Sequence, residues 1–170
     1  DLILLAESDV VKEGFELVWK SKSLPVMSIQ AKAGAGRLIT EVTDLDVTAS
    51  EVRPMVTFMT RDGVRVVFVH LKSGSEKFAT GALELAVRAI MSKTRFGPTP
   101  PILWIGDFNR ANEEALEPVD AHAVIKAGGQ AFWDLDRAYI SGDWDDIRWS
   151  AAVVAVAGAD HGHAAIAFDD

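Results

Sequence analysis

The chain has 170 residues and a net charge of −8, with 49% hydrophobic and 25% charged residues. This length corresponds to one domain, taken as residues 1–170, and the composition is that of a globular protein rather than a disordered one. The acidic balance argues against a surface that holds nucleic acid by charge alone, although an enzyme with metal ions and a local basic patch fits it. Because the chain has no cysteine, disulfide scaffolds, thiolate zinc sites and cysteine nucleophiles are excluded.

The ends and the hydropathy pattern say little about the cellular location. No run of about 18 apolar residues is present that could cross a membrane, and no signal peptide is recognisable. The chain opens at Asp1, directly before the apolar run of residues 2–5, which suggests a protein that is incomplete at its N-terminus. We therefore expect no stable membrane insertion, and the location and oligomeric state stay open.

The hydrophobic pattern predicts one α/β or α+β domain without repeats or linkers. Residues 2–5 read as a short buried strand, and residues 9–20 are ambiguous between helix and strand. Asp62-Gly63 between two β-rich runs predicts a hairpin, and apolar residues at helical spacing predict a helix over 76–95. The remaining predicted elements are a strand at 102–105, a helix at 113–127 closed by Gly128-Gly129, and strands at 132–141, 151–157 and 164–168.

Several predicted strands end in polar side chains that suit metal binding or proton transfer. Taken singly, each has an ordinary explanation, such as a helix cap, a half-buried histidine or a turn. Together they predict a site, because a rigid sheet fixes the groups at its strand ends. Carboxylate and amide oxygens with histidine suit a hard cation such as Mg²⁺. These residues are Glu7, His70, Asp107 with Asn109, and Asp160 with His161.

Five segments carry a resemblance that spans nearly the whole chain: DLILLAE (1–7), VVFVHLKSG (66–74), PILWIGDFNR (101–110), LDRAYIS (135–141) and ADHGHAAIAF (159–168). In this order they resemble the endonuclease/exonuclease/phosphatase superfamily, which includes pancreatic-type deoxyribonuclease and the abasic-site endonucleases. The resemblance implies an α/β fold, a four-layer sandwich of two packed mixed β-sheets flanked by helices. The family's first strand has no counterpart in the chain.

The resemblance also implies a metal site and a water-binding site. Glu7 matches the family's metal-binding glutamate, and Asp160 matches a carboxylate on the metal or water side. Asp107 and Asn109 match the pair that orients the attacking water and stabilises the pentacovalent phosphorus. The implied cofactor is Mg²⁺, with Mn²⁺ or Ca²⁺ as possible substitutes.

The remaining implied roles concern the phosphate and the protons. His70 matches a histidine that contacts the scissile phosphate and assists the leaving group. His161 matches the general base or phosphate ligand, and Asp136 resembles the aspartate that holds the other ring nitrogen of that histidine. Arg53 is a candidate phosphate contact, with a plain surface charge as the alternative, and Arg110 is a candidate contact to the phosphate backbone.

Other histidines and tryptophans have ordinary explanations. We interpret His163 as an exposed loop histidine, with a second phosphate contact as the alternative, and His122 as a structural or solvated residue in the helix predicted over 113–127. Trp104 lies in a buried strand and is predicted to be core. Trp144 and Trp149 either stack on bases or anchor their own loop.

The resemblance implies a metal-dependent phosphodiester hydrolase, with DNA or RNA as the expected substrate and partner. HLKSG and GDFNR favour the endonuclease, whereas the acidic net charge favours a phosphatase or phosphodiesterase of a small or lipid phosphate, such as an inositol phosphate or sphingomyelin. A non-catalytic binding module of the same fold is the third hypothesis. Its expected mark is the loss of metal or histidine residues, and every matched position is present.

Overall fold

The computed structural model describes residues 2–45, 53–94, 98–128, 134–154 and 163–168. Over these residues the chain forms three β-sheets, one α-helix and one short 3₁₀ helix. The described helices are too short or too polar to span a bilayer. The elements in chain order are β1 Leu2–Ala6, β2 Phe15–Lys20, β3 Met27–Lys32, β4 Ile39–Asp44, β5 Met55–Thr60, β6 Arg65–His70, α1 Glu76–Lys93, β7 Ile102–Asp107, the 3₁₀ helix Glu113–Val119, β8 His122–Gly128, β9 Asp134–Ser141, β10 Trp149–Val154 and β11 His163–Phe168.

A mixed six-stranded sheet lies at the centre, with strand order β4-β5-β6-β7-β9-β8. Strands β6 and β7 are parallel and are connected through α1, while the other neighbours are antiparallel. The predicted hairpin is confirmed as β5 and β6, with Gly63 at φ +82° in the turn. The parallel pair matters for function, because it brings two strand ends to the same edge of the sheet.

Two smaller antiparallel sheets, β1-β3-β2 and β10-β11, pack on one face of the central sheet. Helix α1 and the 3₁₀ helix pack on the opposite face. The predicted α/β sandwich is confirmed, and among the described residues the helices lie on one side of the central sheet. The core between the sheets contains Met27, Ile29, Val56, Phe58, Val66, Phe68, Leu103, Ile125 and Ala138, and the core under the helices contains Val67, Val69, Leu83, Ala86, Ile90, Trp104, Phe108 and Tyr139.

Helix α1 agrees with the prediction from its apolar spacing. The hydroxyl of Ser75 caps its first turn by accepting from the Phe78 backbone N–H at 3.3 Å. Its buried side chains include Ala82, Ala86 and Ile90, which recur at helical spacing. The helix therefore covers the face of β6 and β7 that lies opposite the smaller sheets.

The helix predicted over 113–127 is wrong. A 3₁₀ helix covers Glu113–Val119, and Asp120 at φ +49° then turns the chain into β8. Pro118 lacks the backbone N–H that a longer helix needs, and β8 instead pairs with β9. Gly128 accordingly ends a strand rather than a helix, and His122 begins that strand. Within the ambiguous segment 9–20, the structure shows strand β2.

Candidate functional site

Three polar side chains lie side by side in a row across the central sheet. His70 is the last residue of β6 and pairs in register with Asp107, the last residue of β7. Asp107 pairs in turn with Asp136 on the antiparallel strand β9. Directly paired residues of neighbouring strands project from the same face of a sheet. The row therefore presents one imidazole and two carboxylates at the edge where β6 and β7 end.

Gly106 allows β6 and β7 to lie close enough for His70 and Asp107 to be neighbours in the row. It pairs with Val69 and adopts φ +141°. A Cβ atom at this position would lie 1.9 Å from the Val69 carbonyl oxygen, so any larger residue would force the two strands apart. The glycine of the Gly-Asp motif thus secures the close approach of β6 and β7 directly before Asp107.

Glu7 and Arg53 complete the His70 end of the row. Glu7 follows β1 directly and has a left-handed backbone, with φ +62°. Its Oε1 atom lies 3.2 Å from Nη1 of Arg53 and 3.6 Å from Nε2 of His70. The Glu7 side chain is 61% exposed, whereas that of Arg53 is 21% exposed. A carboxylate open to solvent therefore stands beside a partly shielded guanidinium.

His70 is neutral in this environment. Burial is the main reason that its pKa falls from 6.5 to about 4, and the positive charge of Arg53 adds to the effect, while Glu7 opposes it. Arg53 Nη1 donates to the ring at Nε2. Nε2 of His70 also lies 3.9 Å from Oδ2 of Asp107. At neutral pH the ring therefore acts as a hydrogen-bonding group that holds Arg53 at the site.

Asn109 fixes the turn that follows β7. Its backbone has φ +46°, its N–H donates to Asp107 Oδ1 at 2.8 Å, and its side-chain amide donates to the carbonyl of Leu71. Arg137, which no sequence motif indicated, donates to the carbonyls of Asn109 at 2.9 Å and Ala111 at 3.1 Å. The two hydrogen bonds of Asn109 and the contacts of Arg137 therefore hold the turn that carries Asp107 and Asn109. Arg137 could not be predicted from the sequence, because it lies 28 residues from Asn109.

The far end of the row carries His163, which is predicted from the sequence to be an exposed loop histidine. His163 is instead the first residue of β11, and its Nδ1 lies 2.7 Å from Oδ2 of Asp136. The two side chains are 40% and 13% exposed, respectively. The structure thus pairs an imidazole that is partly open to solvent with a largely buried carboxylate.

The other predicted site residues are distributed as follows. Asp160 and His161 lie outside the described residues. Arg110 is exposed and directly follows Asn109 in the turn after β7. Glu7, Arg53, His70, Asp107, Asn109 and Asp136 are brought to the same edge of the central sheet.

The described contacts of Trp104, Trp144 and Trp149 are structural. Trp104 is fully buried and donates to the Ser141 hydroxyl at 2.9 Å, as predicted for a core residue. Trp144 donates to the Ser141 carbonyl at 2.9 Å and stacks on Phe168, with 6.2 Å between ring centroids. Trp149 packs edge-on against Trp144 at 6.0 Å. These contacts match the loop-anchoring interpretation of the aromatic segment.

The donor set suits an open site for a hard cation better than a closed zinc site. Within the described ranges, no group of three or more potential ligands is close enough to enclose a metal ion. Mg²⁺ typically keeps several waters and uses one or two carboxylates together with substrate phosphates. The exposed carboxylate of Glu7 fits that manner of binding.

Neither a protein-family model nor a curated protein matches the sequence. Solved structures do match. Truncated TDP2 from Caenorhabditis elegans aligns with a TM-score of 0.67 at 14% identity, covering 99% of this chain and 84% of that one. The human Nocturnin catalytic domain with a bound sulfate anion aligns with a TM-score of 0.53 at 12% identity, covering 99% and 81%.

A third match is TDP2 from D. rerio, humanised by 14 mutations, with a TM-score of 0.58 at 10% identity, covering 91% of this chain and 76% of that one.

At such identities the likeness concerns the fold, and the matches extend over nearly all of the chain. The arrangement of sheets, with polar residues at the ends of β6 and β7, agrees with the resemblance seen in the sequence motifs. The chain therefore has an endonuclease/exonuclease/phosphatase-like fold.

Proposed function

We propose that the chain is a metal-dependent phosphodiester hydrolase that acts on nucleic acid. The observation that carries this proposal is the row of His70, Asp107 and Asp136, with Glu7 and Arg53 at one end. The row combines carboxylates, imidazole and a guanidinium at one sheet edge, which is the set of groups that hydrolysis of an anionic ester requires.

The scissile phosphate is negatively charged, so it must be neutralised before water can attack it. Arg53 supplies a positive charge that His70 and Glu7 hold in place. Arg110, exposed on the turn after β7, is a second candidate contact to the phosphate backbone. Glu7, together with Asp160, is the proposed ligand set for Mg²⁺, which would stabilise charge on the phosphoryl and leaving oxygens when bound.

Asp107 is the proposed group that orients the attacking water. Its Oδ1 accepts from the Asn109 N–H, and its Oδ2 points toward His70. Asn109 keeps this carboxylate in place through the turn, because its amide is tied to Leu71. The resemblance assigns deprotonation of the water to His161, held by Asp136. Orientation of water by a fixed carboxylate lowers the entropic part of the barrier.

The neutral state of His70 refines its proposed role. A histidine whose pKa is about 4 does not offer an imidazolium proton to a leaving group at neutral pH. We therefore assign His70 to holding Arg53 against the phosphate and to a neutral hydrogen bond with the substrate.

The test is nicking of supercoiled plasmid by the wild-type protein with Mg²⁺ and with EDTA. Asp107→Asn is the site variant, and Asp146→Asn, an exposed carboxylate after β9, is the matched control. We expect nicking that needs Mg²⁺, falls by roughly a hundredfold or more in Asp107→Asn and is unchanged in Asp146→Asn.

A folded wild-type protein that nicks neither DNA nor RNA would contradict the nucleic-acid substrate. Inositol phosphates and sphingomyelin are then the next substrates, because the net charge of −8 favours them. Failure on all of these substrates would overturn the hydrolase and favour the non-catalytic binding module.

A further inference from the structure

We propose that Ser28 and Gln30 of β3 are positioning residues, which hold Glu7 in the conformation that binds a hard cation. This inference rests on the proposed function, in which Glu7 is a ligand of Mg²⁺, and it names the residues that fix this ligand. The observation behind it is a set of three hydrogen bonds between two buried side chains of β3 and the connection that begins with Glu7.

Ser28 and Gln30 are polar residues in an unusual environment. Their neighbours Met27 and Ile29 face the core between the sheets, so Ser28 and Gln30 project from the opposite, outer face of the small sheet. Polar residues on an outer face are normally open to water, but both of these side chains are 0% exposed. Both bond to the connection of residues 7–14 between β1 and β2, which therefore lies across this face.

The topology of the small sheet explains why the connection takes this course. Strands β1 and β2 lie on either side of β3 and are each antiparallel to it, so they are parallel to each other. Parallel strands need a crossover connection, commonly of about a dozen or more residues and with a helix. Residues 7–14 form a shorter crossover that contains no helix. Its backbone N–H and C=O groups therefore depend on partners outside the connection.

Gln30 holds the middle of the crossover with both ends of its amide. Its Nε2 donates to the carbonyl of Val10 at 2.7 Å, and its Oε1 accepts from the backbone N–H of Lys12 at 2.9 Å. Because one amide group serves an acceptor and a donor that are two residues apart, its orientation and the course of the backbone fix each other. A carboxylate or an apolar side chain of similar size cannot make both bonds.

Ser28 acts next to Glu7 itself. Its hydroxyl donates to the carbonyl of Ser8 at 2.8 Å, and on the other side of Glu7 the backbone of Ala6 pairs with Met27. Glu7 thus lies between two residues that β3 fixes. Its backbone is left-handed there, with φ +62°, which a residue other than glycine keeps only where its surroundings enforce it.

The backbone of Glu7 determines where its carboxylate lies. The side chain is 61% exposed, and its described contacts are with Arg53 at 3.2 Å and His70 at 3.6 Å. A side chain so open to water takes its position chiefly from the backbone that carries it. Loss of the bonds to β3 should let Glu7 relax to an ordinary backbone conformation and shift its carboxylate. Residues that orient a metal ligand typically contribute about ten- to a hundredfold to metal affinity.

The first test is a calorimetric titration of Ser28→Ala with Mg²⁺, together with its hydrolysis rate over the same Mg²⁺ range. We expect the Kd for Mg²⁺ to rise roughly tenfold, while the rate at saturating Mg²⁺ stays within about threefold of wild type. Ser141→Ala is the matched control, because this serine is 3% exposed and its hydroxyl accepts from Trp104 Nε1 at the end of β9 far from Asp136. It should lower the thermal stability and leave the Mg²⁺ affinity unchanged. An unchanged Mg²⁺ affinity in folded Ser28→Ala would overturn the proposal.

A double-mutant cycle shows whether Ser28 acts through Glu7. If it does, adding Ser28→Ala to Glu7→Gln should cause little further loss of Mg²⁺ affinity. Ser28→Thr keeps the hydroxyl and should retain most of the affinity. Gln30→Met keeps the length of the side chain, removes both amide bonds and should weaken Mg²⁺ binding as Ser28→Ala does. Losses of Ser28→Ala and Glu7→Gln that multiply would show that Ser28 acts independently of Glu7, against the proposal.

NMR of the metal-free protein gives a readout that does not depend on activity. We expect Ser28→Ala to change the Cα and Cβ shifts of Glu7, which report its left-handed backbone, and Gln30→Met to speed hydrogen exchange at the Lys12 amide. Ser141→Ala should change neither. If the wild-type protein binds no Mg²⁺ and hydrolyses nothing, the proposed function fails, and the Glu7 shifts still decide whether β3 holds this residue. Glu7 shifts that respond to neither variant of β3 would overturn the inference even in an active enzyme.

Discussion

Asp107 and Asp136 are directly opposite each other on β7 and β9, so two carboxylates from residues 29 positions apart in the chain become neighbours on one face of the sheet. Each carboxylate is engaged by a different group, the N–H of Asn109 for Asp107 and the ring of His163 for Asp136. Under the proposed function, these different partners would let Asp107 orient the attacking water while Asp136 holds the ring of His163.

Replacing Glu7 with Gln should raise the Mg²⁺ concentration needed for half-maximal hydrolysis by roughly tenfold or more, because the exposed carboxylate is the proposed metal ligand. The measurement is a Mg²⁺ titration of the hydrolysis rate. Glu84→Gln on the exposed side of α1 is the matched control and should leave the requirement unchanged. An unchanged requirement in Glu7→Gln would remove Glu7 from the metal site.

Arg53→Gln should affect metal binding and catalysis in opposite directions. The guanidinium lies 3.2 Å from Oε1 of Glu7, so its removal frees that carboxylate for a cation and should tighten Mg²⁺ binding by roughly two- to fivefold. Hydrolysis should nevertheless slow, because the phosphate loses its fixed positive charge. Calorimetric titration with Mg²⁺ and steady-state kinetics check the two effects.

Arg65→Gln provides the matched control for Arg53. It removes an ion pair with Glu41 at 2.6 Å, on the same sheet but away from the row. It should change neither Mg²⁺ affinity nor rate. Weaker Mg²⁺ binding in Arg53→Gln would show that Arg53 supports Glu7 rather than competing for it.

Tyr139 should ionise only at strongly alkaline pH. Burial raises its pKa from 10.0 to about 12, Glu113 adds to the shift, and Arg137 opposes it. The unfolded chain loses this proton at lower pH than the folded one, so the contribution of Tyr139 to stability is present below pH 10 and is lost as the pH rises from 10 to about 12. Tyr139 is the only tyrosine, so its tyrosinate absorbance reads the titration directly.

The same titration of the protein unfolded in about 8 M urea gives the reference pKa of Tyr139 in the unfolded chain. Tyr139→Phe is the second control, since it should remove the absorbance change while keeping the ring in the core. A midpoint in the folded protein equal to that of the unfolded chain would contradict the predicted shift.

Gly106→Ala should destabilise the protein by about 2–4 kcal/mol, because the added Cβ meets the Val69 carbonyl and the backbone conformation disfavours alanine. Gly81→Ala is the matched control within α1, where nothing lies within 4 Å of the new Cβ. It should stabilise the protein by about 0.5–1 kcal/mol through helix propensity. Denaturant unfolding measures both, and equal stabilities of the two variants would contradict the steric argument.

The parts of the site that lie at ends of apolar runs could be predicted from the sequence. Strands β1, β6 and β7 appear as short runs of apolar residues, and the polar residue that ends each run is visible by position alone. The hairpin and α1 were also predictable, because their turn residues and periodicity are local. The ends of β6 and β7 meet at one edge because these strands pair in parallel, which the chain order of strand, helix and strand favours. The end of β1 lies in a separate sheet, so its place beside them was not predictable in this way.

The parts that could not be predicted depend on contacts between distant residues. Strand β3 contains buried Ser28 and Gln30, which interrupt its apolar pattern and bond to the carbonyls of Ser8 and Val10, each 20 residues away. Strand β8 has an apolar run that fits helix and strand equally well, and only its pairing with β9 decides. His163 could not be linked to Asp136 without the fold.

Glu7 and Asn109 both have left-handed backbones, with φ +62° and +46°. A side chain in this region costs on the order of 1–2 kcal/mol that glycine does not incur. Glycine at either position would relax the chain while deleting the carboxylate or the amide. Laboratory evolution for heat resistance alone should therefore accept glycine at the exposed Glu7, whereas a library screened for turnover should reject it. At Asn109 both screens should keep asparagine, because its buried amide ties the turn to the Leu71 carbonyl.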